Sequence, residues 1–265
     1  MTLRHISSRD NPLLRSLRKL AMSPGAYRRQ GQLWVEGDHL CRAAVARGVP
    51  VPLAVATDAA LADAALADLL AAAGQVVVVP PALFSGFSGL ESPASLGFVL
   101  DLPPAAPLRD GVPTAVLDGV QDAGNVGSVL RSASALGVGQ VLALQGTAAL
   151  WSPKVLRAGM GAHFNLRLVE GLQADDLDAL GGLPLVATSS HGGEPLPTAA
   201  LPSPCAWVFG HEGQGVSSAL LRRCALTVGI PQPGGEESLN VAAAAAICLY
   251  ESARRGQVGQ RRSAQ

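Results

Sequence analysis

The chain has 265 residues, of which 48% are hydrophobic and 4% aromatic, and its 20 basic residues balance 20 acidic ones. This length suffices for one large domain or two smaller ones with buried cores, and zero net charge argues against a uniformly basic nucleic-acid binder. Its apolar runs are far shorter than the roughly 20 residues that cross a bilayer, and its first ten residues lack the apolar segment of a signal peptide, so we expect no membrane association.

The first block of the chain, residues 1–102, is predicted to be an alternating α/β domain. Asn11-Pro12 indicates a helix start, and leucines follow at helical spacing. Arg15, Arg18 and Lys19 lie on the opposite face of this helix, which gives it a basic outer side. Strands are predicted at "LWVEG", "VPLAVAT", "QVVVVP" and "LGFVL", with helices around residues 38–47 and 59–73.

A proline-rich segment at residues 103–112 is predicted to be a linker, and a second domain follows at 113–265. Short apolar strands alternate with helices here, which is typical of a mostly parallel sheet covered on both faces. The predicted strands are "TAVLD", "QVLAL", "PLVATS", "CAWVFG" and "LTVGI". The predicted helices are residues 125–136, a helix from Ser152, one near 216–222 and a final one. Ligands of such sheets bind beyond the carboxyl ends of the strands, where Asp118, Thr188, Gly210 and Ile230 fall.

The helix after the first strand of this block carries an arginine without a local partner. Asn125 can cap the helix, and Arg131 follows about 9 Å along its axis. No acid stands three or four positions from Arg131. Either a distant salt bridge or a phosphate or reacting oxygen of a substrate would complement it.

Basic residues are segregated from acids along the chain, which can build a positive surface on a neutral molecule. Residues 1–30 are rich in arginine, and residues 131–169 contain no acid. Lys154 and Arg157 lie three positions apart on one predicted helix face. They form either a solvated face or a pair of phosphate contacts.

Two further stretches combine glycine or proline with polar side chains. In "FGHEGQG", the glycines around Glu212 fit a tight turn or a close backbone approach to a ligand. The spacing is not that of a dinucleotide-binding loop. In "IPQPGGEESLNVA", Ser238 can cap the last helix and Asn240 would fall in its first turn. The alanine run at 242–246 lets another backbone pack closely, as in a threaded or dimer-forming helix.

Cysteine and histidine spacing indicates neither disulfides nor metal. The four cysteines form no CxxC pair, so reduced thiols in a cytoplasmic protein are expected. The five histidines show no metal-ligand spacing, so no bound metal is expected.

These stretches, in this order, resemble the SpoU (TrmH) family of RNA ribose 2'-O-methyltransferases in the SPOUT superfamily. "NVGSVLR", "FGHEGQG" and "IPQPGGEESLNVA" are similar to its three motifs, and "SPKVLRAGMGAHF" to the segment between the first two. The first block, with "ISSRDNPLLRSLRKL" and "LWVEGDHL", resembles the substrate-binding domain often fused in front. The resemblance implies an α/β fold with a mostly parallel sheet, a C-terminal trefoil knot and a homodimer.

The resemblance also implies S-adenosyl-L-methionine as cofactor and RNA as partner. Cofactor-binding positions would be Thr188, Gly210, Ile230 and Leu239. Catalytic positions would be Asn125, Arg131, Glu212, Ser238 and Asn240. RNA-binding positions would be Arg15, Arg18, Lys19, Lys154 and Arg157. Arg131 would hold a phosphate and stabilise the emerging alkoxide, in its own or the neighbouring subunit's site.

The predicted function is therefore methylation of a ribose 2'-hydroxyl in structured RNA, ribosomal rather than transfer RNA. A transfer-RNA methyltransferase and a non-catalytic RNA-binding or ribosome-assembly factor on the same fold are the alternatives. This sequence departs from the family pattern at a few positions without losing a predicted catalytic group: Ala123, Gly159, Gln232 and Ala242.

Overall fold

The computed structural model describes residues 2–235 and 238–263, with the side chains described as far as Gly256. Glu236 and Glu237 of the third motif lie outside the described residues. The chain divides into two compact units. The first comprises Met1–Pro104 and Trp151–Phe164, and the second comprises Ala105–Leu150 and Asn165–Gln265.

Among the described residues, five strands and six α-helices form the first part of the chain. The strands are β1 (Thr2–His5), β2 (Gln32–Glu36), β3 (Val51–Ala56), β4 (Ala73–Val78) and β5 (Leu96–Asp101). The helices are α1 (Pro12–Met22), α2 (Ala26–Gln30), α3 (Asp38–Ala46), α4 (Asp58–Ala62), α5 (Ala67–Ala71) and α6 (Pro81–Ser85). The sheet order is β1-β4-β3-β5-β2, with β1, β4 and β3 parallel and β5 antiparallel to both of its neighbours.

In the second part of the chain, the described residues add seven strands and four α-helices. The strands are β6 (Thr114–Asp118), β7 (Gln140–Leu144), β8 (Arg167–Leu172), β9 (Leu185–Thr188), β10 (Glu194–Pro195), β11 (Ala206–Gly210) and β12 (Leu226–Gly229). The helices are α7 (Ala123–Ala135), α8 (Pro153–Gly159), α9 (Ser218–Leu221) and α10 (Val241–Ser263). All seven strands pair in parallel, in the order β10-β12-β9-β11-β6-β7-β8. The predicted α/β class with a mostly parallel sheet is confirmed.

Helix α1 illustrates how sequence patterns set local structure. The Asn11 side chain accepts a hydrogen bond from the Leu13 amide at 2.9 Å, and Pro12 occupies the first turn. Leu14, Leu17 and Leu20 are buried at helical spacing, as predicted. A predicted helix at 59–73 is instead broken into α4, a 3-10 turn (Ala64–Leu66) and α5. The reason is local: the Asp63 side chain caps the Ala65 amide at 2.9 Å.

Several short elements were not predicted: β1, α2, α6, β8, β10 and two 3-10 helices at Ala162–Asn165 and Ala174–Leu180. Each is either too short to show periodicity or, like the edge strand β8, only half-buried. Helix α8 belongs to the first compact unit and contacts α1 and β2 there. The predicted linker at residues 103–112 stays a prediction. The two units are not continuous in sequence, because a segment from the middle of the chain, Trp151–Phe164, joins the first unit.

The parallel sheet is covered on both faces. On one face, Leu177 and Leu180 of a 3-10 helix and Leu220 of α9 pack with the sheet residues Val116 and Val208. Helix α10 contacts both α7 and β11, and the Trp207 indole donates a hydrogen bond to Ser252 at 2.8 Å. These contacts pack α10 against α7 and β11.

The chain order changes direction at the centre of this sheet. Strands β6, β7 and β8 follow one another to one edge, whereas β9 and β12 lie on the other side of β6 and β11 is inserted between β6 and β9. Asp118 and Gly210 end side by side on β6 and β11. Parallel sheets bind ligands at such a reversal, so this edge is the candidate site.

Candidate active site

Helix α7 is capped by Asp122, and this corrects the prediction that Asn125 caps it. The Asp122 carboxylate accepts a hydrogen bond from the Asn125 amide at 2.8 Å. Asn125 thus lies in the first turn of α7, and its side chain is free to bond across the fold.

A hydrogen-bonded chain of three side chains joins the first turn of α7, the loop after β11 and the residue before α10. The Asn240 amide nitrogen Nδ2 donates to Asn125 Oδ1 at 2.9 Å. Asn125 Nδ2 donates in turn to Glu212 Oε1 at 3.0 Å. We call Asn240, Asn125 and Glu212 the amide–carboxylate chain. It brings together three of the five predicted catalytic residues.

Glu212 is the acceptor at the end of this chain. Besides Asn125, its carboxylate accepts hydrogen bonds from the backbone amides of Gln121 at 3.2 Å and Asp122 at 3.1 Å. Partial desolvation acts to raise the pKa of Glu212, but these hydrogen bonds outweigh it and lower the pKa to about 2. Glu212 is therefore ionised at neutral pH and already engaged by donors.

Asn240 also makes hydrogen bonds to the backbone of α10. These bonds correct the prediction that it lies in the first turn of that helix. Its Oδ1 accepts hydrogen bonds from the amides of Ala242 at 2.9 Å and Ala243 at 3.2 Å, so Asn240 is the N-cap of α10. The alternative cap, Ser238, is exposed and makes no hydrogen bond to a described residue. One amide side chain both starts α10 and connects it to α7.

Arg131 lies apart from the amide–carboxylate chain. It is exposed, and within residues 2–235 and 238–263 it makes no hydrogen bond or ion pair. It is the sixth residue after Asn125, which places it about 9 Å along and about 120° around α7. The two side chains therefore do not face the same point.

A tight glycine loop holds Glu212 in place. A Cβ added at Gly210 would lie 2.1 Å from the carbonyl carbon of Gly215 and from the Val216 nitrogen, so only glycine fits at the end of β11. His211 and Gly215 exchange backbone hydrogen bonds of 3.0 and 2.8 Å. The His211 ring nitrogen Nδ1 also accepts the Gly213 amide at 3.0 Å. The glycines thus form a closed turn, and Glu212 within this turn accepts the hydrogen bond from Asn125.

Three of the four predicted cofactor-binding residues lie at neighbouring strand ends. Thr188 ends β9, Gly210 ends β11, and Ile230 follows β12. The Thr188 hydroxyl donates to the Val208 carbonyl at 3.3 Å, which ties β9 to β11. The fourth, Leu239, is 39% exposed and directly precedes Asn240.

The comparisons with known proteins decide the family. The family model described as the SpoU rRNA Methylase family matches residues 113–250. This protein belongs to the SpoU rRNA Methylase family. The predicted resemblance is confirmed.

Its relatives in the SpoU family extend the likeness beyond the matched segment. An uncharacterized tRNA/rRNA methyltransferase of Synechocystis is 32% identical over 94% of this chain and 93% of its own. The Bacillus subtilis 23S rRNA (guanosine(2553)-2'-O)-methyltransferase RlmP is 34% identical over 63% of this chain and 68% of its own. The structure of the SpoU methyltransferase AviRb of Streptomyces viridochromogenes, in complex with AdoMet, superposes with a TM-score of 0.84 at 26% identity, over 92% of this chain and 98% of that one.

The five predicted RNA-binding residues of this SpoU protein come from two helices that contact each other within the first unit. Arg15, Lys19 and Lys154 are exposed, on α1 and α8. Arg18 also donates through Nε to the Gly86 carbonyl at 3.1 Å. The guanidinium of Arg157 lies against Gly89, where an added Cβ would be 2.5 Å from Nη1. Two of the five therefore have structural contacts as well.

Sequence reasoning missed two contributors to the site, Asp122 and Gly193, and placed Asp118 at this edge without assigning it a contact. Asp118 accepts the Ser217 amide at 2.7 Å and so joins the end of β6 to α9. Asp122 caps α7. Gly193 packs against β12, where an added Cβ would lie 2.6 Å from the Thr227 carbonyl oxygen. The glycine pair in "SSHGGEP" directly after a strand was a signal for such close backbone approach.

Two structural features are absent from the described part of the chain. No group of three or more His, Cys, Asp or Glu side chains is placed there to hold a metal ion. No helix there is both long and apolar enough to span a bilayer.

Proposed function

We propose that this protein transfers a methyl group from S-adenosyl-L-methionine to a ribose 2'-hydroxyl of structured ribosomal RNA. The amide–carboxylate chain carries the proposal, because it links the three family motifs at the reversal point of the parallel sheet. The Bacillus relative acts on 23S rRNA, and the Streptomyces neighbour binds AdoMet. Both support the same reaction for this member of the family.

The strand ends fit the cofactor. Thr188, Gly210, Ile230 and Leu239 would hold it, because backbone at glycine-lined loops can approach a ligand closely. Nothing lies within 4 Å of a Cβ added at Gly234 or Gly235, so the loop after β12 has open space beside it. When bound, the cofactor supplies an electrophilic methyl group on its sulfonium.

The residues at the carboxyl-end edge of the parallel sheet would each have a different role in catalysis. A ribose hydroxyl is a poor nucleophile, so its oxygen must be oriented and its developing charge stabilised. A carboxylate with a pKa of about 2 is a weak base, so Glu212 positions Asn125 rather than removing the proton. Asn125 and Asn240 orient the reacting groups, and Ser238 offers its exposed hydroxyl to the RNA.

Arg131 stabilises charge instead of accepting a proton. A guanidinium stays protonated in proteins, so it suits the phosphate next to the target ribose and the emerging alkoxide. Because Arg131 lies about 120° around α7 from Asn125, it serves the site of a second subunit more readily than its own.

If Arg131 serves the site of a second subunit, the active protein is a homodimer. Helix α10 exposes Ala243, Ile247 and Tyr250 at helical spacing, and the last two are 40% and 59% exposed. An apolar stripe of this kind beside the site suits an isologous contact with a second copy. The dimer would place Arg131 of one subunit at the amide–carboxylate chain of the other.

The trefoil knot expected for the SPOUT superfamily is part of the same proposal. Two features support a threaded C-terminal segment. Strand β11 is inserted between β9 and β6, and α10 packs back onto α7 and β11. The knot would fix the loop before α10 beside the loop that carries Glu212.

RNA would be held mainly by the basic residues of α1 and α8, which lie on one compact unit. Phosphate contacts of this type position an RNA without reading its sequence. We place the protein in the cytoplasm. In support, its four cysteines are unpaired thiols, as is usual in a reducing compartment.

The test is methyl transfer from tritiated S-adenosyl-L-methionine to ribosomal RNA from a strain that lacks this protein. Label in an alkali-resistant dinucleotide is expected, because a 2'-O-methyl group blocks cleavage of the adjacent phosphodiester. Transfer RNA from the same strain is the matched control. Cofactor binding without transfer to either RNA would contradict the catalytic function.

A further inference from the structure

The loop after β12 holds one glutamine in a rigid setting. Gln232 lies between Pro231 and Pro233, which have restricted φ angles and no backbone N–H. The Gly235 amide donates to the Gln232 carbonyl at 3.2 Å and closes the turn. The neighbours on either side of Gln232 therefore cannot donate to its side chain through a backbone N–H.

The side-chain oxygen of Gln232 is buried and accepts no hydrogen bond from any part of the chain that the structure describes. Buried side-chain oxygens are nearly always paired, since an unpaired one loses its water without compensation. A donor from a ligand would satisfy it. The loop continues β12, whose neighbour β9 ends at Thr188, so Gln232 lies at the edge where the cofactor is proposed to bind.

We propose that the Gln232 amide recognises the 6-amino group of the cofactor's adenine, an inference that rests on the proposed function. A glutamine amide presents an acceptor beside a donor, which matches the amino group and adjacent ring nitrogen of adenine. A ribose hydroxyl can donate or accept and does not require an amide oxygen. The cofactor's ammonium group is better matched by a carboxylate. Gln232 is thus a specificity-determining residue for the adenine base.

The test compares binding of two ligands by calorimetry. One is S-adenosylhomocysteine, and the other is its analogue in which the 6-amino group is replaced by hydrogen. The wild-type protein is expected to prefer the amino compound, and Gln232→Met should reduce that preference by about ten-fold. Methionine has similar volume and removes the unpaired oxygen, so the ligand-free variant should melt at or above the wild-type temperature.

Gln145→Met, a change at an exposed glutamine after β7, is the matched control and should keep the wild-type preference. An unchanged preference in Gln232→Met, with S-adenosylhomocysteine still bound, would overturn the inference and leave the proposed function standing. A loss of affinity for S-adenosylhomocysteine that methylthioadenosine does not share would also overturn it, because methylthioadenosine keeps the adenine and lacks only the amino-acid part. Failure of the wild-type protein to bind S-adenosylhomocysteine would instead refute the proposed function.

Discussion

At the scale of single residues, the site depends on side chains that each make two kinds of contact. Asn240 caps α10 through its oxygen and reaches Asn125 through its nitrogen. Glu212 accepts two backbone amides and the Asn125 side chain. The orientation of every amide in the chain is fixed, because a carboxylate at the end can only accept.

Asn240→Asp separates the two roles of this residue. Aspartate is as good an N-cap as asparagine, so the melting temperature should stay within a few degrees of wild type. It cannot donate to Asn125, so methyl transfer should fall by about ten- to a hundred-fold. Asn240→Ala, the matched variant, should lose activity and also about 1 kcal/mol of stability. Full activity in Asn240→Asp would contradict the role of the amide–carboxylate chain.

The lowered pKa of Glu212 predicts a particular pH dependence of stability. A carboxyl group whose pKa is lower in the folded state stabilises the protein above its unfolded pKa, near 4.5, and that contribution is lost as pH falls towards about 2. The melting-temperature difference between wild type and Glu212→Gln should therefore be constant from pH 7 to 5 and shrink below about pH 4.5. A difference that disappears between pH 7 and 5 would contradict this assignment.

The two wrong predictions at the site have one physical cause. Asp122 and Asn125 can both cap α7, and Ser238 and Asn240 can both cap α10. Local sequence cannot choose between such neighbours. In the fold, the Asn125 side chain is committed to Glu212 and Asn240, and this tertiary contact leaves the α7 cap to Asp122. The polar residue types were predictable from motif order, whereas their division of labour was not.

At the scale of elements, the closed loop after β11 decides where Glu212 lies. Gly210→Ala should lower the free energy of unfolding by about 1–3 kcal/mol, because its Cβ would overlap the Gly215 backbone at 2.1 Å. Gly213→Ala is the control, since its nearest neighbours are His211 side-chain atoms at 3.8 Å. Chemical denaturation measures both. Equal stabilities of the two variants would contradict the close packing of this loop.

Helix α10 also fastens the segment that follows β10. Arg255 donates to the carbonyls of Leu196 at 2.7 Å, Pro197 at 3.1 Å and Ala199, and pairs with Glu251 at 2.7 Å. The Leu196 amide in turn donates to the Gly229 carbonyl, one residue before Ile230. The pKa of Glu251 is lowered to about 2, first by its hydrogen bond from Arg254 and then by Arg255.

Arg255→Leu should therefore destabilise the protein by about 1–3 kcal/mol, since it removes donors to several backbone carbonyls. It should also weaken cofactor binding through the loop after β12. Arg254→Leu removes an exposed guanidinium from the same glutamate and should melt close to wild type. Thermal denaturation with and without S-adenosylhomocysteine measures both effects. Similar losses of stability and of cofactor binding in the two variants would show that the hydrogen bonds from Arg255 to residues 196–199 do not hold the loop after β12.

At the scale of the whole molecule, the parallel sheet was predictable because its strands are short, apolar and separated by helices. The structure of the first unit was harder to predict from the sequence. The segment Trp151–Phe164 joins it through contacts distant in sequence, and β1 and α2 are too short to show a pattern. Non-local contacts of this kind leave no periodicity in the sequence.

Mixing two inactive variants tests the proposed homodimer. If Arg131 serves the neighbouring site, subunits with Arg131→Ala and subunits with Asn240→Asp should form mixed dimers with one intact site. An equal, fully exchanged mixture should then recover about a quarter of wild-type activity. Light scattering would confirm the dimer. No recovery on mixing would place Arg131 in its own subunit's site.

The central claim is most directly tested in the ribosomal RNA of cells. Mass spectrometry of that RNA from cells with the protein, cells without it and cells with Asn240→Asp would reveal the modified nucleotide. We expect one ribose-methylated nucleotide that is present with the wild-type protein and absent or strongly reduced in the other two. Identical ribose methylation in all three RNAs would contradict it.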